Sequence, residues 1–224
     1  MNVGLQPRDK KGWFIDTKPS ILVNKPSVEL AEFIGIMLGD GNLTKAKAGN
    51  YQIRIVGHIE NGKEHLSYHV APLAKRLFGI TFGIYEKREE NKLYLSKGSK
   101  HLFYTLIKFG LMYGNKKSNN VKIPKWIFKD KNYLKACVRG LVDTDGCVCP
   151  ITGRDYTYVW FKSSIPNLRK SFSKAMDVLG YKIAKWSGPE NTQTFIGSKE
   201  IIKKYYKEIG FNNPYHERRF MIPE

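Results

Sequence analysis

Phe33-Ile34-Gly35-Ile36-Met37-Leu38-Gly39-Asp40-Gly41 and Val138-Arg139-Gly140-Leu141-Val142-Asp143-Thr144-Asp145-Gly146 are two versions of one stretch. Each is an apolar run of helical character that ends in Asp-Gly. Every residue of the first stands 105 positions before its counterpart, as 35 before 140 and 40 before 145. Each version also holds two small residues four apart, Gly35 and Gly39 in one and Gly140 and Thr144 in the other. Residues four apart lie one above the other on a helix face, and a face of small side chains lets two helix axes approach closely. Packed together, the two helices bring Asp40 and Asp145 to a common end. Gly41 and Gly146 are placed to end each helix and turn the chain. A lone helix ending in Asp-Gly is an ordinary junction. Two at a fixed offset predict one site built from two carboxylates.

Working outward, Ser27 is placed to cap a first motif helix running from about Val28 to Leu38, with Glu29 suited to its positive end. Asn42 to Lys47 and Tyr51 to Val56 read as a hairpin turning at Gly49-Asn50. A helix follows from Asn61 or Gly62 to Phe78, stopped by Gly79. Ile80 to Lys87 and Lys92 to Ser96 read as a second hairpin, and Ser99 caps a helix ending near Gly110. The second half repeats the order. Asp130 caps a motif helix to about Val142, with strands at Gly146 to Thr152 and Tyr156 to Ser163. A helix follows from Ile165 to Leu179, then strands at Tyr181 to Ser187 and Thr192 to Ile196, and a helix from Ser198 to Ile209. Gly98-Ser99-Lys100 matches Gly197-Ser198-Lys199. The fold class is therefore α+β, two pseudo-symmetric α-β-β-α-β-β-α halves, each with a four-stranded antiparallel sheet. The expected divisions are an extension at 1–26, a first half at 27–110, a linker at 111–129 and a second half with a basic tail at 130–224.

Of the 224 residues, 42% are hydrophobic and 13% aromatic, as in folded globular chains. A net charge of +18 implies a polyanionic partner. Nucleic acid fits better than a membrane, since no apolar run approaches 18 residues. The N-terminus lacks an apolar signal core, so an intracellular protein, in a cytosol or an organelle, is expected. Cys137, Cys147 and Cys149 are too few for a disulfide framework and read as reduced, packed thiols. Glu64-His65-Leu66-Ser67-Tyr68-His69 spaces two histidines as zinc helices do, but its Glu precedes the first His, and a packed helix is the better reading.

The doubled stretch resembles the LAGLIDADG homing endonucleases in their single-chain, two-motif form. Val138 to Gly146 is close to the family consensus; the first copy departs from it at Leu38, which leaves Asp143 without a counterpart. The resemblance implies that Asp40 and Asp145 are catalytic, metal-binding acids, joined by the main-chain carbonyls of Gly39 and Thr144. It implies Mg²⁺ or Mn²⁺, oxygen-seeking ions that lower the pKa of bound water and offset charge on phosphate. It also places basic residues around the acids: Lys162 at the end of a strand, Lys116 or Lys117 after the last helix of the first half, and Arg218 or Arg219 near the end of the second. Gly57 stands where the first half would carry such a base, so an asymmetric pocket is expected, with His58 compensating.

The implied activity is site-specific cleavage of double-stranded DNA at a long pseudo-palindrome by a monomer. An intron-encoded origin is expected, because no splicing Cys or Ser begins the chain and no His-Asn ends it. An intron maturase that binds RNA, or a non-cleaving DNA-binding protein of the same fold, is the alternative. Polar side chains alternating on strands suit the major groove, and Gln52, Arg54, Lys87, Lys92, Tyr94, Lys182, Trp186 and Gln193 are the candidates. Thr44, Lys45 and Lys47 are expected on phosphates, where contacts position without specifying. Arg218 is added from the basic tail.

Overall fold

A computed structural model describes residue 10 and residues 23–46, 49–150, 153 and 156–220. Helix α1 spans Val28–Gly39, and the Ser27 hydroxyl accepts from the Leu30 N–H at 3.1 Å. Its second counterpart, α5, spans Lys131–Asp145, and the Asp130 carboxylate accepts from the Asn132 N–H at 2.6 Å. The two helices touch at their backbones. A Cβ on Gly35 would lie 2.2 Å from the Cys137 carbonyl oxygen, and one on Gly140 would lie 2.4 Å from that of Glu32. At the C-terminal end, a Cβ on Gly39 would lie 2.0 Å from the Thr144 hydroxyl oxygen. Only glycine fits these three positions at this separation.

Each motif helix runs straight into the first strand of its own sheet. In the first half β1 (Gly41–Lys45), β2 (Tyr51–His58), β3 (Gly83–Lys87) and β4 (Lys92–Gly98) form an antiparallel sheet in the order β1-β2-β4-β3. Gly41 and Gly146 do not enter the left-handed region that a glycine helix stop uses. They are small because the strand turns back over the last helical turn. A Cβ on Gly41 would lie 2.4 Å from Met37 Cα, and one on Gly146 would lie 2.3 Å from the Val142 oxygen.

Helices back the inner face of the first sheet. Between β2 and β3 the chain is helical from α2 (Ile59–Glu64) through a π-helical segment, His65–Val70, into α3 (Ala71–Phe78), which Gly79 closes at φ 64°. The helix opens two residues earlier than the Asn61 expectation because His58 Nδ1 accepts from the Glu60 N–H at 3.3 Å. Helix α4 (Lys100–Lys108), capped by Ser99, lays Phe103 against Tyr51 at 5.1 Å. A 3-10 segment at Lys125–Lys129 leads into α5.

The second sheet holds β5 (Gly146–Pro150), β6 (Thr157–Lys162) and β7 (Gln193–Ile196), in that order. The expected strand at Tyr181 to Ser187 is not regular, so among the described residues this sheet has three strands, not four. The segment runs beside β7, with the Ala184 N–H donating to the Phe195 carbonyl at 2.8 Å and a bridge from Ser187 to Gln193. Between these points the Thr194 hydroxyl donates to the Ala184 carbonyl at 2.7 Å, taking an acceptor the ladder would need. Helices α6 (Pro166–Val178) and α7 (Lys199–Glu208) cover the inner face, with Phe172 stacked on Phe161 at 4.0 Å. A short α8 (Pro214–Arg219), absent from the sequence reading, follows Asn213, whose side chain caps it. The last residues of the expected strand to Thr152, nearly all of the expected extension at 1–26, and Lys47 lie outside the described residues.

A buried polar clamp ties the halves together behind the motif helices. Glu32 of α1 accepts from Arg139 of α5 at 2.5 Å and from Asn212 at 2.6 Å, and pairs with His69 at 2.6 Å. The π-helical turn stacks His65 and His69 at 5.6 Å, which aims His69 at that acid. Burial alone would raise the Glu32 pKa, but hydrogen bonds from His69 and Arg139 outweigh it and hold the acid at about 2.

Two outcomes follow for stability. Gly35→Ala and Gly140→Ala are each expected to cost about 1–3 kcal/mol or more by overpacking, while Gly83→Ala, with no atom nearer than 3.8 Å to its new Cβ, changes thermal stability little. Glu32→Ala strands Arg139 and is expected to cost about 3–5 kcal/mol in denaturant titrations. Because the folded pKa of Glu32 is depressed, its contribution is whole above its ordinary value of 4.5 and is lost as pH falls towards 2. The wild type should therefore lose stability across that window, and Glu32→Gln should flatten the loss.

Candidate active site

Asp40 caps the end of α1 and Asp145 is the last residue of α5. Because Gly39 and Thr144 touch, the two acids share one small region; a Cβ on Gly39 would lie 3.5 Å from the Asp145 carboxyl carbon. The partial negative charges of two helix C-termini converge there as well. Lys116 answers them. Its ammonium donates to the Leu38 carbonyl at 2.9 Å and to the Gly39 carbonyl. The loop that carries it is pinned by the Gly114 N–H on the Leu43 carbonyl at 2.8 Å and by the Ser118 N–H on Asn115 Oδ1 at 2.9 Å. Lys117, the other candidate, is exposed and turned to solvent.

The electrostatics match the crowding. Burial, reinforced by the charge of Asp145, lifts the Asp40 pKa to about 8 even though Lys116 pulls it down. Burial lifts Asp145 to about 6 against the same lysine. Burial also lowers the Lys116 pKa, with both acids opposing. The acids titrate as a pair, and both shifts are upward. Such a pair is short of positive charge. Carboxylates and helix-end carbonyls are the hard oxygen donors that Mg²⁺ or Mn²⁺ prefers, and the Lys116 ammonium already occupies a cation's place on the Gly39 carbonyl. The donor set fits a hard divalent ion. Among the described residues no three His, Cys, Asp or Glu side chains gather to hold one, so its other ligands would be carbonyl, water or phosphate oxygens.

Two cavities open beside the end of the helix pair. The larger, about 810 Å³, is lined by Asp145, Lys116, Lys162 and Gln193. The smaller, about 320 Å³, is lined by Asp40, Gly57, His58 and His216 and has no lysine. The pocket is thus asymmetric. Gly57 is excluded as a base by type, and its missing side chain also makes room for Leu66, which a Cβ would meet at 2.9 Å.

The outward face of the first sheet gathers several of the sequence-predicted residues. Register sets Thr44 opposite Gln52, Arg54 opposite Ser96 and Lys87 opposite Lys92, all on the side away from Leu93 and Leu95. Tyr94 and Tyr85 stack there at 4.9 Å. Lys87 and Lys92 share Glu90, so neither cation is isolated. Lys45, next to Thr44, falls on the opposite, helix side at the end of β1, over the Tyr51 ring at 5.7 Å. In the second half Lys162 sits opposite Gln193. Lys182 is exposed on the irregular segment beside β7. Trp186 is corrected: its ring packs on Phe161 and Phe172, on the helix side of the sheet, and its Nε1 donates to Ser173. Arg218 is exposed and paired with Glu64 at 2.7 Å, whereas Arg219 reaches the Val148 carbonyl of β5 at 3.0 Å.

Sequence reasoning missed what lies behind Asp145. Asp143 is buried; it accepts from the Asn212 N–H at 2.9 Å, and its main-chain carbonyl accepts from the Asn213 side chain. It anchors the C-terminal segment to α5. The Asn213-Pro214 pair, a helix cap followed by proline in the first turn, was the available signal for α8.

No protein-family profile matches the chain. Among curated proteins it is 31% identical over 131 residues to a replication factor C small subunit of Methanocaldococcus jannaschii, covering 52% of this chain and 6% of that protein. It is 27% identical over 200 residues to a DNA polymerase of Thermococcus hydrothermalis, covering 88% of this chain and 11% of that one. The chain therefore spans only a small part of either relative. Among solved structures it resembles I-DmoI in complex with DNA and Mn, with TM-score 0.57 and 17% identity over 82% of this chain and 96% of the other. It resembles the LAGLIDADG homing endonuclease I-LtrWI bound to target DNA, with TM-score 0.52 and 10% identity over 86% and 88%. The fold of this chain is that of the LAGLIDADG homing endonucleases, in the single-chain form that carries the motif twice.

Proposed function

We propose that the chain is a metal-dependent, site-specific DNA endonuclease acting as a monomer on a long, imperfectly palindromic duplex. The observation that carries this is the pair Asp40 and Asp145 at touching helix ends, with Lys116 on the carbonyls of Leu38 and Gly39 and, with Lys162, lining the larger cavity beside Asp145. The similarity to I-DmoI, which was solved with DNA and Mn, supports the substrate class and the metal class. In this reading residues 27–110 and 130–224 are the two halves, each facing half of the site, with 111–129 joining them and 1–26 an extension. Homing of an intron is the biological setting we assign.

Asp40 and Asp145 supply the charged oxygen ligands, and the carbonyls of Gly39 and Thr144 supply neutral ones. A bound Mg²⁺ or Mn²⁺ would acidify a water and offset charge developing on the phosphate. Lys116 holds positive charge over the acids, and Lys162, at the end of β6, is placed to meet a phosphate oxygen from the second half. Gln52, Arg54, Lys87, Lys92, Tyr94 and Gln193 face the bases, and Thr44 and Lys45 the backbone. Lys182 and Arg218, both exposed, are added as peripheral phosphate contacts.

Asp40→Asn and Asp145→Asn are each expected to abolish Mg²⁺-dependent cutting of a duplex spanning the uninterrupted host gene. They should also raise the metal-free melting temperature at neutral pH. A folded carboxyl pKa above the unfolded 3.8 means that stability falls as pH climbs from 3.8 towards about 8 for Asp40, and the amide removes that loss. Cutting that survives both substitutions would refute the reading. Lys116→Met should lower the cleavage rate by about 10²–10³-fold, the scale for removing one preorganised charge donor, whereas Lys117→Met should leave it within a factor of a few.

A further inference from the structure

The outward faces of the two sheets differ in chemistry. The first carries Gln52, Arg54, Lys87 and Lys92. The second carries charge only at its edge, in Lys162 beside Gln193; the rest is Cys147 and Cys149 on β5, Tyr158 and Trp160 on β6, and Phe195 on β7, all partly buried and none charged. Register sets Cys147 opposite Trp160, Cys149 opposite Tyr158, and Trp160 opposite Phe195. The Phe195 ring is flanked by two others, stacked on Tyr158 at 4.8 Å and 6°, and 4.6 Å from Trp160. Gly197 makes room for this arrangement; a Cβ there would lie 2.7 Å from the Phe195 ring and 3.0 Å from that of Tyr158. The two thiols, free and partly buried with sulfurs 3.1 Å apart, extend the strip into the cavity of Asp145.

We propose that this strip is a base-reading element of the second half and that it selects thymine through the C5 methyl groups in the major groove. The inference rests on the DNA reading above and adds the base it prefers. Three observations support it. First, Cys147, Cys149 and Trp160 line the same cavity as Asp145 and Lys162. A duplex whose phosphate reaches that acid lays its neighbouring groove on the strip. Second, the strip is mostly carbon: Phe195 has no hydrogen bond to offer a base edge, the thiols offer only weak ones, and Tyr158 and Trp160 carry one polar atom each. The base feature that apolar side chains recognise in the major groove is the thymine methyl. Third, Phe195 is flanked by rings already, whereas an unpaired base needs an open ring face. A methyl needs only an apolar hollow. On a chain of net charge +18, an uncharged strip beside the catalytic cavity is a local departure that general phosphate attraction does not explain.

The test selects a randomised duplex pool on the protein without divalent metal, then remakes the bound duplex with deoxyuridine for thymidine in one half at a time. Uracil lacks only the methyl. The selected site should concentrate thymine in one half, and uridine there should weaken binding about fourfold per methyl lost, the scale for one buried apolar carbon. Uridine in the other half should change affinity little. Phe195→Ser and Trp160→Gln, each checked for folding by thermal melting, should erase the difference between thymine and uracil duplexes, and Arg54→Gln should leave it. Equal affinity for both duplexes overturns the proposal, and that arm needs no variant. So does a difference that persists in both strip variants, or single strands that outcompete duplexes, which would make the strip a stacking platform. Failure of the unsubstituted pool to bind at all would overturn the endonuclease reading itself.

Discussion

The backbone contact between α1 and α5 is the constraint on which the rest of the molecule depends. Glycine inside a helix costs roughly 1 kcal/mol relative to alanine, and this interface uses it at Gly35, Gly39 and Gly140. The cost is offset by burial: every residue of α1 from Leu30 to Gly39 is removed from solvent. What the contact achieves is placement. The contact runs down to Gly39 and Thr144, so the residues that follow them, Asp40 capping α1 and Asp145 closing α5, are brought together. Two acids and two sets of helix-end carbonyls are thereby forced into one volume. The repulsion that results is the property a cation site requires.

Two buried acids side by side are unfavourable on their own, and the remaining structure shows how they are tolerated. Lys116 sits on the carbonyls of Leu38 and Gly39 and supplies part of the missing charge. Behind the acids, Glu32 and Arg139 join the halves with opposite charges, and Asn212 and Asn213 fasten the C-terminal segment to Asp143. The polar ties that join the halves thus lie away from the two acids. His65 fits the same logic. Burial keeps it neutral, with a pKa near 4, and stacking on it orients His69 towards Glu32.

Much of this was legible in the sequence because it is written in local signals. The doubled small-residue run, the caps at Ser27, Ser99 and Asp130, and the alternation in Tyr51 to Ile55 each have a physical reading that needs no tertiary context. What the sequence concealed depends on partners distant in the chain. Glu32 sits one turn before Ile36 in an apolar helix, and nothing local shows that Arg139 and Asn212 wait across the interface. Trp186 alternates as a surface residue would, yet its strand is irregular and its ring turns inward. Gly41 and Gly146 do stand where the helices end and the chain turns, but the need for glycine there is the close approach of strand to last helical turn, which local sequence does not show. The choice of Lys116 over Lys117 is set by a loop geometry that two adjacent lysines cannot reveal.

The most direct measurement is an anomalous difference map from crystals of the chain grown with Mn²⁺ and duplex DNA. The account predicts manganese density between the carboxylates of Asp40 and Asp145, with both acids facing the same phosphates. Density elsewhere, or the two acids turned to solvent on separate sides of the helix pair, would contradict it.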